Sequence, residues 1–197
     1  RNVVSVEYEN IPLANYAEDA STKTLVEEIE GNPALRAVAG RLAQPLNHAG
    51  LGNLQTEIIK EATRSDIGIY HRGGIRLESL PKGEVIVKQL FDNEPFFSQV
   101  HTVEMTPAQL RKLIITKYND TANQKESHRV DLYATTPYNI IVDESDTAYD
   151  VEFPRLKEGR YYMVAVADYV ARNYKDFEGR NEVRTPLLVY DLDVAYF

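Results

Sequence analysis

The sequence predicts an α+β domain, and three observations carry that expectation. Alternating apolar stretches recur along the chain, interrupted by single helical patterns. Several of the strands they encode read as antiparallel neighbours, which separates this order from a regular βαβ repeat. A chain of 197 residues with 43% apolar and 26% charged side chains also has the composition of one soluble globular domain plus a connecting segment.

Taken in order, residues 2–13 (NVVSVEYENIPL) alternate around Val3, Val4, Val6 and Tyr8 and predict a strand. Ser21, Thr22 and Thr24, with Glu27 three residues beyond Thr24, predict a helix start of the capping-box type. Pro33 breaks that helix, with a short turn over 34–38 and a strand over 38–46. Leu54, Ile58, Ile59 and Ala62 fall at helical spacing, so 52–63 reads as a helix with one buried stripe. Strands follow at 66–70 and 95–105, with a short mixed stretch at 85–91.

Thr106-Pro107 with Gln109 is a strong start signal: a cap residue, a proline in the first turn and a reciprocal glutamine. The helix behind it places Leu110, Leu113, Ile114 and Tyr118 on one face. Residues 119–128 (NDTANQKESH) read as a polar loop, and 130–134, 139–143 and 160–167 as strands. A helical turn is expected at 169–174. Thr185-Pro186 opens a final helix, with a terminal strand as the rival reading. The acidic residues Asp143, Glu144, Asp146 and Asp150 lack calcium-loop spacing and read as a solvated edge.

The 30 acidic side chains against 22 basic ones give a net charge of −8, which argues against a nucleic acid polymer as partner. No apolar run approaches the ~20 residues of a membrane span. Arg1 opens directly onto strand-like sequence, so the expectation is that any export signal has been removed or was never present. The absence of cysteine excludes disulfides and thiolate chemistry, and thirteen tyrosines supply amphipathic rings suited to polar ligand faces. His48, His71, His101 and His128 are scattered, without spacing suited to a shared ion. There is no Gly-x-Ser-x-Gly elbow and no phosphate-cradling loop.

The richest stretch is 66–76 (DIGIYHRGGIR). An apolar strand runs into Gly73-Gly74 and then Arg76, whose guanidinium can grip an anion or a hydroxyl in fork geometry. Read locally, the plainer account is a tight turn with a surface arginine, and it is the context on both sides that lifts the other reading. Upstream stands GLGNLQTEIIKEA (50–62); downstream stand KGEVIVKQLFDNEPFFSQVHTVEMTPAQLRKLI and RYYMVAVADYVA. In this order and at these separations, the blocks resemble the C-terminal, substrate-binding domain of the 5′-nucleotidase/UDP-sugar hydrolase family, most closely between Gly50 and Leu113.

The resemblance implies a mixed sheet with packed helices, in a domain that would occupy 21–197. Residues 1–20 would then be a strand and linker left from the junction with a catalytic domain. In the family, this domain clamps a base between two aromatic rings and fixes the nucleotide through arginine and asparagine. The corresponding positions here are Phe96 and Tyr169 for the rings, Arg76 for the motif arginine, and Gly73 and Gly74 for its glycines. Each has a plainer alternative. Phe96 or Phe97 belongs to the core, Tyr169 packs under the last helix, Arg76 joins a surface ion pair and Asn53 orders a loop.

Three departures bear on specificity. His71 replaces the family's asparagine, Pro45-Leu46-Asn47-His48 replaces an Arg-x-Arg-Glu-like element, and Arg172-Asn173-Tyr174-Lys175-Asp176 replaces a Gly-Gly-Asp-Gly turn. The metal-binding clusters of the family's metallophosphoesterase domain are absent from this sequence. The chain is therefore not expected to hydrolyse a phosphate ester alone. Its divalent metals would lie in a catalytic domain or a separate partner chain, with a nucleoside or nucleotide as ligand and an exported location, periplasmic or at the cell surface. The alternative expectation is a module that binds no ligand and docks on or stabilises a hydrolase partner.

Overall fold

The computed structural model describes residues 5–121 and 132–197, which fall into two compact units, 1–36 and 37–197. In the first unit a short 3-10 turn at Leu13–Asn15 precedes helix α1 (Ala20–Glu30) and the single-turn α2 (Pro33–Arg36). Residues 5–12 form no strand, and Val6 and Tyr8 stand exposed; 2–4, the start of the predicted strand, lie outside the described residues. Alternation alone selects a strand only where a neighbouring edge is present to pair with it. Helix α1 is capped by Asp19, which accepts from the Thr22 amide at 2.8 Å, so it begins before the predicted Thr24 box. None of its residues is buried.

The second unit is built on a five-stranded mixed sheet. Its elements in chain order are β1 (Val38–Leu42), β2 (Leu46–Asn47), α3 (His48–Thr63), β3 (Ile67–His71), β4 (Ser79–Leu80), β5 (Gly83–Ile86), α4 (Val87–Asn93), β6 (Gln99–Met105) and α5 (Pro107–Thr121). There follow β7 (Leu132–Ala134), β8 (Asn139–Val142), β9 (Ala148–Glu152), β10 (Tyr162–Ala167), α6 (Asp168–Asn173), β11 (Arg180–Leu188) and α7 (Val189–Tyr196). The sheet order is β11-β6-β10-β3-β7, with β3 and β10 parallel and every other pairing antiparallel. The pairs β1–β5, β2–β4 and β8–β9 form small antiparallel ladders beside it.

Both sheet faces are covered, and the central strands accordingly lack polar alternation. On β10, Val164 and Val166 enter one core with Ile67, Ile69, Val103, Leu113 and Tyr174. Ala165 and Ala167 enter the other with Leu51, Ile59, Tyr70, Leu90 and Val189. Helix α3 lies against the second face, and a Cβ at Gly68 would run into the Thr56 backbone carbonyl of that helix. Glycine there is what lets helix and sheet approach.

The Thr106 box is present in full: Gln109 Oε1 accepts from the Thr106 amide at 2.9 Å, and Thr106 Oγ1 accepts from the Gln109 amide at 3.3 Å. Leu110, Leu113, Ile114 and Tyr118 form the buried face of α5. Several boundaries differ from expectation: the 38–46 strand splits into β1 and β2, α3 starts at His48 and not at 52, and the mixed 85–91 stretch divides between β5 and α4. The 95–105 strand begins only at Gln99, because Pro95–Phe97 turns and Phe97 has a left-handed φ of 50°. The predicted polar loop loses 119–121 to α5, while 122–128 lie outside the described residues, as do 130–131 of the next strand. The acidic edge folds as the β8–β9 hairpin, with Asp143 accepting from the Ser145 and Thr147 amides. Finally, Thr185-Pro186 lies inside β11; the helix starts three residues later, at Val189.

Candidate ligand-binding site

The parallel strand pair β3–β10, the one such pair among the described residues, positions the candidate site. Strands β3 and β10 run side by side and end together, β3 at His71 and β10 at Ala167. The chain leaves β3 through a 3-10 turn at Arg72–Gly74 and leaves β10 directly into α6, so both exits open at the same sheet margin. Carboxyl ends of parallel strands are where open sheets form ligand crevices. Here a cleft of about 490 Å³ lies at that margin, with walls from the β3 turn, the segment before β6, α5 and α6.

Four of the sequence-predicted residues line it: His71, Gly73, Phe96 and Tyr169. Phe96 is 55% exposed and Tyr169 is 49% exposed, so both rings present free surface. The expectation that Phe96 or Phe97 belongs to the core fails, since Phe97 is 50% exposed as well; the turn at Phe97 replaces strand alternation. Its positive φ sends that ring against Phe91 and Tyr190, at centroid distances of 5.9 and 5.5 Å, and leaves Phe96 to the cleft. Arg76 sits at the rim, its guanidinium 5.9 Å from the Phe96 centroid and within 3.4 Å of the Gly73 carbonyl. Gly74 is buried behind the wall, where an added Cβ would stand 2.6 Å from Tyr70 and 2.7 Å from His71. Asn53 lies elsewhere, in a shallow depression with Thr56, Thr135 and Arg155.

His71 does more than replace a carboxamide. Its ring stacks on Tyr169 with centroids 4.5 Å apart and planes at 27°, and also on Tyr70 at 5.4 Å. Tyr174 meets both His71 and Tyr169 edge-on, at 6.4 and 6.1 Å, and Lys117 Nζ caps the Tyr174 ring at 4.4 Å. The bulky 172–176 segment thus completes an aromatic wall.

Behind the cleft lies a buried polar set. Ser98, a lining residue, donates to Glu94 Oε1 at 2.6 Å, and Tyr70 Oη donates to the same oxygen at 3.3 Å. Glu94 is fully buried, and its Oε2 has no hydrogen-bond partner among the described residues. Burial raises the Glu94 carboxyl above its ordinary range, against the opposing pull of Ser98, and also drives Tyr70 well above its own. Asp193, buried in α7, accepts from Gln55 Nε2 at 2.7 Å and is pushed up to about 8 by burial.

Ser98, Lys117, Asp168, Arg172, Asn173 and Tyr174 complete the lining; sequence reasoning noted 172–174 only as part of a departure bearing on specificity and gave the other three no place in the site. Their signal was weak: Lys117 sits on a helix far from the glycine turn, and only the fold brings it there. His48, in the departure from the Arg-x-Arg-Glu-like element, has a structural task. Its ring nitrogens lie 2.7 Å from Tyr133 Oη and 3.2 Å from the Ile75 carbonyl, while Asn47 caps α3 through the Gly50 amide. Among the described residues, no group of three or more His, Asp or Glu side chains is placed to hold a metal ion. No helix among them is long and apolar enough to cross a membrane.

Residues 33–179 match the family model described as the 5′-nucleotidase C-terminal domain. The chain belongs to that family. No curated protein sequence matches it. Among solved structures, a 5′-nucleotidase precursor from Thermus thermophilus superposes with a TM-score of 0.72 at 20% identity, over 90% of this chain and 39% of that one. NAD nucleotidase from Haemophilus influenzae gives 0.66 at 16% identity, over 90% of this chain and 38% of that one. A sulfate thiohydrolase from Thermus thermophilus gives 0.62 at 13% identity, over 93% of this chain and 37% of that one. At such identities the likeness establishes the fold of this 5′-nucleotidase C-terminal domain, mixed sheet and packed helices included. The chain spans about two-fifths of the length of each of these proteins.

Proposed function

We propose that this domain recognises a nucleoside or nucleotide, stacking the base between Phe96 and Tyr169. Arg76 at the rim anchors the polar part of the ligand, and the Gly73 turn lets the backbone approach it. Supporting this reading is the convergence of two half-exposed rings, a rim guanidinium and a glycine turn on one cleft at the ends of the parallel strands. Stacking suits a base of any identity and contributes about 1–3 kcal/mol per ring contact. The fold alone would not select nucleotides, since it also occurs in a protein named as a sulfate thiohydrolase.

On this reading the domain holds its ligand for chemistry done elsewhere. The phosphate would be presented to divalent metals in a metallophosphoesterase domain or a separate chain, as in a 5′-nucleotidase-type hydrolase. An exported location, periplasmic or at the cell surface, goes with that reading. The test is calorimetric titration with adenosine, uridine and AMP, repeated on Phe96→Ala and Tyr169→Ala. Saturable binding that both substitutions abolish supports the clamp; retention of binding in both sinks it.

Two observations favour a second reading, a docking module without a ligand. One face of Tyr169 is already covered by His71, and α1 carries exposed Leu25, Val26 and Ile29 along its length. Under this reading no nucleoside gives binding heat, and a metallophosphoesterase chain is captured through α1.

A further inference from the structure

One carboxylate oxygen joins the two walls of the cleft. Glu94 is fully buried, and its Oε1 accepts from the Ser98 hydroxyl at 2.6 Å, the Ser98 amide at 3.4 Å and the Tyr70 hydroxyl at 3.3 Å. Ser98 ends the 95–98 segment that carries Phe96. Tyr70 belongs to the other wall, since its ring stacks on His71 and His71 stacks on Tyr169.

The 95–98 segment depends on such a fastening. Backbone bonds pin only its flanks: the Asn93 carbonyl accepts from the Arg76 amide at 3.0 Å, and the Ser98 carbonyl from the Val189 amide at 2.8 Å. Between these points no backbone hydrogen bond closes the turn among the described residues. Pro95 has no amide hydrogen to give. Phe97 holds a left-handed φ of 50°, which a bulky side chain keeps only where its surroundings fix it. Phe96 is 55% exposed, so its own packing does little to hold it. The bonds that fix the turn come from behind it, from the Glu94 side chain. The hydroxyls of Ser98 and Tyr70 and the amides of Ser98 and Phe97 all favour the ionised carboxylate, against the burial that raises it.

We propose that Glu94 is a positioning residue of the clamp: its Oε1 fastens the turn beneath Phe96 to the Tyr70–His71–Tyr169 column and so sets where the two rings stand. This deepens the nucleoside reading and rests on it for the ligand alone, since the restraint of the Phe96 position can be read without one.

The chain has no tryptophan, so Phe96→Trp places a single indole at the cleft. Its nanosecond anisotropy and its quenching by acrylamide are then compared with Ser98→Ala, Glu94→Leu or Glu94→Gln added. Circular dichroism and thermal melts check the folding of each variant. Ser98→Ala and Glu94→Leu lower the anisotropy and raise the quenching. Glu94→Gln keeps an acceptor oxygen but puts amide hydrogens where Oε2 has no partner among the described residues. It therefore lowers the melting midpoint and leaves the indole restrained. In chains that keep Phe96, adenosine affinity falls about tenfold for Glu94→Leu, as a stacking contact is lost, and little for Glu94→Gln. Indole signals unchanged by both Ser98→Ala and Glu94→Leu overturn the inference and leave the nucleoside reading standing. A carboxylate with a purely structural role gives that result together with a lowered midpoint. An indole already mobile in the chain carrying Phe96→Trp alone overturns the inference as well. If Glu94→Leu does not fold, Ser98→Ala decides by itself, because it removes a single hydroxyl. If the indole responds as expected but no variant binds adenosine, the nucleoside reading falls and the restraint by Glu94 stands.

Discussion

His71 stacks face to face on Tyr169, with ring centroids 4.5 Å apart, and that contact joins the end of one parallel strand to the helix that follows the other. The histidine is buried and the tyrosine half exposed, so the first acts as a backing plate for the second. Aromatic pairs of this kind contribute about 0.5–1.5 kcal/mol beyond area burial. His71→Ala should release the Tyr169 ring and weaken nucleoside binding by about threefold to tenfold. His71→Phe should restore most of the loss. Titration of the two variants side by side checks this, and equal affinities for both would mean that the ring contact is irrelevant to binding.

Phe96 and Phe97 are adjacent but have separable tasks. Phe96→Ala should cost under about 1 kcal/mol of stability, since the ring is 55% exposed, while removing a stacking contact of about 1–3 kcal/mol. Phe97 is 50% exposed, so Phe97→Ala should lower the unfolding midpoint only modestly, through the lost ring contacts with Phe91 and Tyr190, and leave nucleoside binding in place. Thermal melts and titrations on both variants separate the two effects; a larger melt shift for Phe96 would contradict the assignment.

The two motif glycines should likewise part company. At Gly73 an added methyl finds its nearest neighbour 3.5 Å away, an ordinary contact, so Gly73→Ala should be close to neutral for folding. At Gly74 the same methyl presses on Tyr70 at 2.6 Å and His71 at 2.7 Å, both rings of the stacked column. Gly74→Ala should therefore cost about 1–3 kcal/mol of overpacking and displace His71 from Tyr169. Urea unfolding of the pair reads the difference directly.

Stability should fall as pH rises. Burial pushes the Asp193 carboxyl from an ordinary 3.8 up to about 8, with the Gln55 hydrogen bond opposing and the nearby Glu94 charge adding to the rise. A raised carboxyl binds its proton more tightly folded than unfolded. The stabilisation is therefore complete below about pH 4 and is lost progressively as pH climbs toward 8. Within that window the slope from this one group approaches about −1.4 kcal/mol per pH unit. Glu94, also raised by burial, acts with the same sign. Asp193→Asn should flatten the dependence between about pH 5 and pH 8 in urea titrations. A wild-type curve that runs parallel to the variant's would refute the buried neutral carboxyl.

How much was legible in the sequence follows from where each signal resides. The capping box at Thr106 and the short strand into Gly73-Gly74 are local patterns, and each forms where its residues predict, whereas the α3 stripe holds only at Ile58 and Ile59: Leu54 is half-buried, Ala62 is exposed, and Leu51, Gln55 and Thr56 complete the buried face. The boundaries that moved depend on partners. Val6 and Tyr8 alternate without an edge to pair with, whereas Arg180–Leu188 includes a proline yet becomes a strand because β6 offers an open edge. The same division holds for the site. Phe96, Tyr169, His71 and Gly73 sit in recognisable segments and meet in one cleft. Lys117 and Ser98 carry no local mark, since a lysine on a helix face and a serine before a strand are ordinary residues until the sheet order brings them together. The polarity behind the wall was equally invisible: nothing local to Glu94 or Asp193 marks either as buried.

The pairing of β6 with β10 has an evolutionary corollary. Phe96 stands shortly before one of these strands and Tyr169 shortly after the other, at the end where Val100 faces Ala167, so the sheet and not loop conformation spaces their backbones. Ligand preference can then drift through side-chain exchange at positions such as His71, Lys117 and Arg172 while the frame stays put. A scaffold organised this way permits relatives to diverge to one residue in five and still superpose closely.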